Sequence, residues 1–294
     1  MTPTEDGGGP RPVPPVRDAR GKYRYADHTW PEIKQAIAME KVVLLPVGSV
    51  EDHGYHLPMD TDHFSEHISL EAGRRRPDLF VVMPIVAYGF NLHHLDWPGT
   101  IHIRSEHLID FTLDITKSLA HHGFRKIVLV NGHGSNMPCL DLAARRTVLE
   151  TDALCAALMW TSLAAEAIAE VRETPFPGVA HAEEIETSLY LHLAPERVQM
   201  ERAVPEFPEE YARSKFVWQD LQRPSPVMLM DWWSRFDRSG VIGDPTLASA
   251  EKGRRLWEAA VQGLIDFGLE FKGWPLKSRR DYHDGPAGSV RLEG

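Results

Sequence analysis

Four short apolar runs punctuate the middle of the chain. Val42-Val-Leu-Leu-Pro-Val47, Phe80-Val-Val-Met-Pro-Ile-Val86, Lys126-Ile-Val-Leu-Val130 and Leu154 to Trp160 each read as a buried strand. Around them, apolar residues recur every three or four positions, the spacing of a helix face. Ser105 to His121 predicts a helix with Leu108, Phe111, Ile115 and Leu119 on one side. Residues 137–151 suit a second helix. Ala248 to Phe271 suits a long one, with Leu256, Ala260, Leu264, Phe267 and Phe271 on one face. An earlier helix opens at Thr29-Trp-Pro-Glu32, with a Thr cap, Pro in the first turn and Glu three after the cap. Apolar strands alternating with helices predict an α/β fold: a mostly parallel β-sheet flanked by helices on both faces. In such sheets ligands bind beyond the carboxyl ends of the strands.

The ends differ from the middle. Residues 1–20 hold five Pro and three consecutive Gly, and read as a disordered arm. Residues 277–294 read as a polar tail, which leaves 21–276 as a single domain. At 43% hydrophobic and 25% charged, the 294 residues have an ordinary globular composition. No apolar run approaches the ~18–20 residues of a membrane helix, and the polar N-terminus lacks the apolar core of a signal peptide. A net charge of −10 argues against broad nucleic-acid binding. Two cysteines, Cys139 and Cys155, exclude a disulfide framework and a Cys-rich zinc module, and point to a reducing, cytoplasmic setting.

Histidine changes the picture. Eleven of the 15 histidines lie between His53 and His133. Imidazole is the commonest metal ligand and the usual near-neutral acid or base. Just after the first strand, Gly48 to His63 gathers His53, His56 and His63 with Glu51, Asp52, Asp60 and Asp62. Carboxylate oxygen and imidazole nitrogen are the donors preferred by zinc, manganese and non-haem iron. Asn131-Gly-His133-Gly-Ser-Asn136 follows the third strand. Its glycines could also cradle a phosphate, but no Walker pattern and no full G-x-G-x-x-G is present. His181-Ala-Glu183-Glu184-Ile-Glu186 opens a further helix. Acidic residues in a first turn also suit the helix dipole, which accounts for Glu183 and Glu184 better than for His181. His93-His94-Leu-Asp-Trp97-Pro-Gly-Thr100 reads as either a pocket rim or a structural loop. Trp232-Trp233, in a Met-, Trp- and Pro-rich segment, could cover the pocket as a lid or fill a subunit contact, and reads as contact or core rather than substrate stacking. Arg74-Arg75-Arg76 reads as a solvated helix end.

In order, these motifs resemble the creatininase (creatinine amidohydrolase) family. The family pattern G-S-x-E-x-H-G-x-H-L-P-x-x-T-D is Gly48 to Asp62 here. H-x-x-x-P-G-T is His94 to Thr100, N-G-H-G-x-N is Asn131 to Asn136, and H-A-x-x-x-E-T is His181 to Thr187. G-x-x-G-D-P-T is Gly240 to Thr246. The resemblance spans residues 27–272. It implies two divalent metal ions, zinc or manganese with iron possible, and hydrolysis of a C–N bond, often in a small cyclic amide. It also implies a homo-oligomer, typically a hexamer, acting on a small molecule. By position, Glu51, His53, Asp62 and His133 match metal ligands, with Asp62 bridging. His181 matches the histidine near the reactive water and Glu186 its acidic partner.

Three departures stand out. Creatininase carries a glutamate two positions after the histidine of the third motif, where this chain has Ser135; Glu186 is the best replacement ligand. Asp52 and Asp60 stand where Gln and Gly are usual, and His93 where Glu is common. The pocket, with His94, Ser135 and Trp97 as expected lining, therefore differs from one built for creatinine. The expected chemistry is attack of a metal-bridged hydroxide on a carbonyl, with His181 carrying the proton. Alternatives are hydrolytic C–C ring opening of a cyclic ketone in polyol catabolism, or a non-catalytic metal-binding protein.

Overall fold

The computed structural model describes residues 18–209, 214–280 and 282. Four strands form one sheet: β1 (Val42–Val47), β2 (Phe80–Val82), β3 (Lys126–Asn131) and β4 (Leu154–Met159). All three pairings are parallel, in the order β2-β1-β3-β4. The α/β class expected from the apolar runs is present.

Successive side chains on a strand point to opposite faces, and each face finds its own cover. Val42, Leu44, Val128 and Val130 pack on α2 (Phe64–Arg75), α7 (Glu184–Leu193) and α8 (Ala250–Gly273). The short helices α5 (Trp160–Leu163) and α6 (Ala165–Val171) join that layer. Val43, Leu45, Val47, Ile127 and Leu129 pack on α1 (Trp30–Ala38), α3 (Ser105–His122) and α4 (Met137–Glu150). Each aliphatic side chain fully buried this way contributes on the order of 1.5–3 kcal/mol.

Several boundaries move for local reasons. The run read as a strand over Phe80–Val86 leaves the ladder after Val82, because Pro84 has no N–H to donate. It touches the sheet again at Val86, whose N–H donates to Pro46 O at 3.0 Å. The C-terminal helix starts at Ala250, where Ser249 Oγ accepts from Lys252 N. Phe111 was expected on the buried face of α3, but it is exposed; Leu108, Thr112, Thr116 and Leu119 form the covered stripe. Arg74 and Arg75 end α2 and pair with Glu71, as a solvated helix end does.

The arm expected over 1–20 lies outside the described residues as far as 17. Its remainder is docked: Ala19 is buried and donates its N–H to Gln35 Oε1 at 3.0 Å. Of the tail expected over 277–294, residues 277–280 and 282 are described and exposed. No described helix is long and apolar enough to cross a membrane.

Strand β1 is followed in the chain by β2 on one side, and then by β3 on the other. The carboxyl ends of β1 and β3 therefore flank the point where strand order reverses, the usual ligand position in such sheets.

Candidate metal centre

The loop leaving β1 carries Glu51, Asp52 and His53, and returns through Asp62 to α2. The loop leaving β3 carries His133. Gly132 sits so close to the Asp62 main chain that a Cβ there would collide with its carbonyl oxygen. Asn136 Nδ2 donates to Gly48 O at 3.0 Å and ties the two loops together. Asn131 braces the second loop, its Oδ1 accepting from His133 N at 3.1 Å. From the helical side, Glu186 accepts the Ala182 N–H at 2.6 Å. That bond holds Ala182 at φ 50°, a left-handed conformation unusual for alanine, immediately after His181.

The result is a buried cluster. Asp62 Oδ2 lies 3.2 Å from His133 Nδ1, and Glu51 Oε1 lies 3.1 Å from the same nitrogen. Asp62 Oδ1 lies 3.5 Å from His53 Nε2, and Glu186 Oε2 lies 3.8 Å from it. Glu51, Asp62 and His133 thus form one set of donors that could hold a cation. His53, Asp62 and Glu186 form a second, and Asp62 belongs to both.

Hydrogen bonds orient the imidazoles. His133 Nε2 donates to Phe90 O at 3.1 Å, which leaves Nδ1 as the free donor atom. His53 Nδ1 faces Glu51 O at 3.3 Å, which leaves Nε2. Ser49 Oγ donates to Asp62 Oδ2 at 2.5 Å. Among the described residues, neither Glu51 oxygen nor His53 Nε2 has a hydrogen-bond partner, although all are buried. Buried polar atoms are rarely left so. Three carboxylates and two oriented imidazoles facing one another, with partnerless atoms among them, fit divalent cations.

Protonation follows the same geometry. Burial lowers the pKa of His53, but Asp62, Glu186 and Glu51 outweigh it and push it up to about 10. Burial likewise opposes protonation of His133, and Glu51 and Asp62 overcome it, so its pKa rises well above the ordinary value. Burial raises the Glu186 carboxyl. It also raises Glu183, helped by the nearby Glu186 charge. Without metal, protons supply the positive charge that these carboxylates require.

His181 stands beside the cluster. Its Nε2 donates to Asp52 O at 2.8 Å, its Nδ1 is 3.8 Å from Glu51 Oε1, and its ring centroid is 4.3 Å from that of His53. His94 is fully buried and bonds Asp52. Trp97 is half-buried with its ring 6.0 Å from that of His94. Ser135 lies outside both donor sets and bonds His93 Nε2 at 3.1 Å. Asp60, expected near the pocket, instead accepts from Tyr190 Oη at 2.8 Å and Arg197 at 3.0 Å. His56 bonds Thr187 Oγ1 at 2.9 Å, and burial lowers its pKa to about 4.

Trp233 is buried, as expected of a core residue, and lies against the candidate site. Its buried ring lies 4.3 Å from His94, 5.0 Å from His181 and 5.3 Å from His93, centroid to centroid. It roofs the histidines. The Trp pair in an otherwise irregular segment was the only signal available.

The profile of the creatininase family, described as creatinine amidohydrolase, matches residues 26–267. The chain belongs to this family. It is similar to the 3-dehydro-scyllo-inosose hydrolase of Thermotoga maritima, 28% identical over 81% of this chain and 79% of that protein. The mycofactocin precursor peptide peptidase of Mycobacterium tuberculosis is 31% identical, covering 76% of this chain and 82% of its own. The creatinine amidohydrolase of Pseudomonas putida is 29% identical, over 81% and 93%. Among solved structures, "Creatininase Mn" superposes with a TM-score of 0.72 at 27% identity, covering 85% of this chain and 98% of that one. A creatininase mutant of "Zn-Zn type" gives a TM-score of 0.69 at 28% identity, over 85% and 98%. These relatives are hydrolases, and the chain is a hydrolase of the creatininase family.

Proposed function

We propose that the protein is a two-metal hydrolase that cleaves a C–N bond next to the carbonyl of a small molecule, such as a cyclic amide. One observation carries this reading: Asp62 turns one oxygen to His133 and Glu51, and the other to His53 and Glu186. Glu51, Asp62 and His133 would hold one divalent cation, and His53, Asp62 and Glu186 the other, with Glu186 in place of the carboxylate absent at Ser135. Zinc and manganese are the candidates, since related structures are named for them, and iron suits the same donors. Such a pair supplies Lewis acidity towards a carbonyl and lowers the pKa of water towards neutrality.

The chain's residues do the rest. His181 is anchored through Nε2, so Nδ1 faces the cluster and can carry a proton. Burial opposes its protonation and so does His53, but Asp52 and Glu51 outweigh both and raise its pKa. In hydrolysis, water adds its oxygen to the carbonyl carbon, the C–N bond breaks, and the proton delivered by His181 leaves with the nitrogen. Trp233 packs over the buried His93–His94 pair beside the cluster. One catalytic domain over 21–276, homo-oligomeric assembly as a hexamer and a cytoplasmic location belong to the same reading.

A second reading is favoured by one relative's name. An inosose is a polyhydroxy cyclic ketone with no C–N bond, so a ring opened by water at a C–C bond suits the same site. Elemental analysis combined with a panel of lactams, peptides and cyclic ketones tests both. Two metals per chain and turnover of an amide support the first reading; turnover of ketones alone moves the assignment to the second. Metal binding without turnover across the panel overturns both.

A further inference from the structure

Asp52 lies between two ligand-bearing positions but belongs to neither donor set that shares Asp62. Its main-chain oxygen accepts from His181 Nε2 at 2.8 Å, and its Oδ1 accepts from His94 Nδ1 at 2.8 Å. A third hydrogen bond fixes the backbone here: Asp52 N donates to Thr100 Oγ1 at 3.1 Å. On the other side Gly240, at φ 73°, packs so closely that a Cβ would collide with Asp52 Oδ2. The main chain of Asp52 is thus pinned by His181 and Thr100, and its carboxylate is held between His94 and Gly240.

The consequence falls on His94. With Nδ1–H committed to Asp52, the neutral ring has its lone pair on Nε2. That atom is buried and has no hydrogen-bond partner among the described residues. The ring is 4.7 Å from His181 and 4.3 Å from Trp233, centroid to centroid, so it stands directly beside the histidine assigned to carry the proton. A buried acceptor without a donor is costly, and a substrate donor offsets the cost.

We propose that Asp52 is a positioning residue for both His94 and His181, and that His94 Nε2 accepts a hydrogen bond from a hydroxyl or N–H group of the substrate. The proposal rests on the hydrolase reading above. The preferred substrate then carries a donor close to its scissile carbonyl, and an analogue without that donor is rejected because Nε2 stays unpaired. A third cation held by Asp52, His94 and His181 is the competing use of these atoms.

The test uses the full-length, zinc-loaded protein with nitrogen-15 in its histidines. Long-range proton–nitrogen spectra report the tautomer of each ring. The expected result is His94 protonated on Nδ1 and bare on Nε2, with His94 Nε2 shifting on addition of creatinine, an N–H donor, or myo-inositol, a hydroxyl donor. In H94N the side-chain amide still reaches Asp52 but Nε2 is deleted. That variant should retain two zinc ions and lose about 100-fold in kcat/KM. Asp52→Asn should retain both zinc ions and disturb the His94 tautomer. A proton on Nε2 in the wild type, no shift with either probe, a third zinc equivalent, or loss of zinc in H94N each overturns the proposal. Absence of turnover across the substrate panel, with the tautomer and shift as stated, overturns the hydrolase reading instead.

Discussion

Asp62 meets His133 at 3.2 Å through Oδ2 and keeps Oδ1 for His53 at 3.5 Å. Two loops from two strands thus converge on the two oxygens of one side chain. Asp62→Asn should therefore remove both metals, because a neutral amide offers only one oxygen. Elemental analysis of the purified variant checks this, and two metals per chain in it would rule out a shared carboxylate.

Of the two imidazoles that face Asp62, the one that Glu186 pairs with among the described residues is His53, at 3.8 Å. Glu186→Gln should halve the metal content. His181→Ala should behave differently, with metal content near wild type and turnover reduced about 100-fold or more. If H181A loses its metal, His181 is a ligand and its proton-carrying role is wrong.

Metal affinity should rise steeply with pH. In the metal-free protein His53 titrates at about 10 and His133 is also raised, so both rings are cationic at neutral pH. Binding must expel roughly two protons, which calorimetry in buffers of different ionisation enthalpy measures directly. The sign for stability is the reverse. A raised histidine pKa stabilises the metal-free fold fully below pH 6.5 and is lost as pH rises through about 10. Metal-free protein should thus melt at lower temperature at pH 9.5 than at pH 6.5, and zinc should abolish that difference.

Asp237 provides a second pH effect, away from the metal ligands. Burial, then the neighbouring Glu206 carboxylate, raises the Asp237 carboxyl to about 7 from an ordinary 3.8. The folded state holds that proton more tightly than the unfolded chain, so this contribution falls as pH rises from about 4 to 7. Asp237→Asn keeps an acceptor for the Ser239 and Gly240 N–H groups and needs no proton. Its Tm should exceed that of wild type by several degrees at pH 8, and the gap should close by pH 4. An equal gap at both values would show that the carboxyl does not titrate in this range.

Much of this architecture is legible in local sequence. The four strands and the faces of α8 follow from periodicity, which depends only on neighbouring residues. Phe111 misleads because a helical stripe drifts with the 3.6-residue period, so that Thr112 rather than Phe111 turns inward on α3. The ligand candidates stand out as chemistry-bearing residues at the ends of strands. What sequence hides is long-range pairing. Nothing near Asp60 announces Tyr190 and Arg197, and nothing near Trp233 announces the histidines it covers. Asp52 and His94 are 42 residues apart and meet only because β1 and the loop after β2 end at the same place.

In the proposed arrangement Asp62 joins two cation sites, the second completed by Glu186. A crystal structure of the zinc-loaded protein, with diffraction collected on both sides of the zinc absorption edge, tests it most directly. Two anomalous peaks per chain are expected, one ligated by Glu51, Asp62 and His133 and the other by His53, Asp62 and Glu186. A single peak, or a second peak without Glu186 among its ligands, would contradict it.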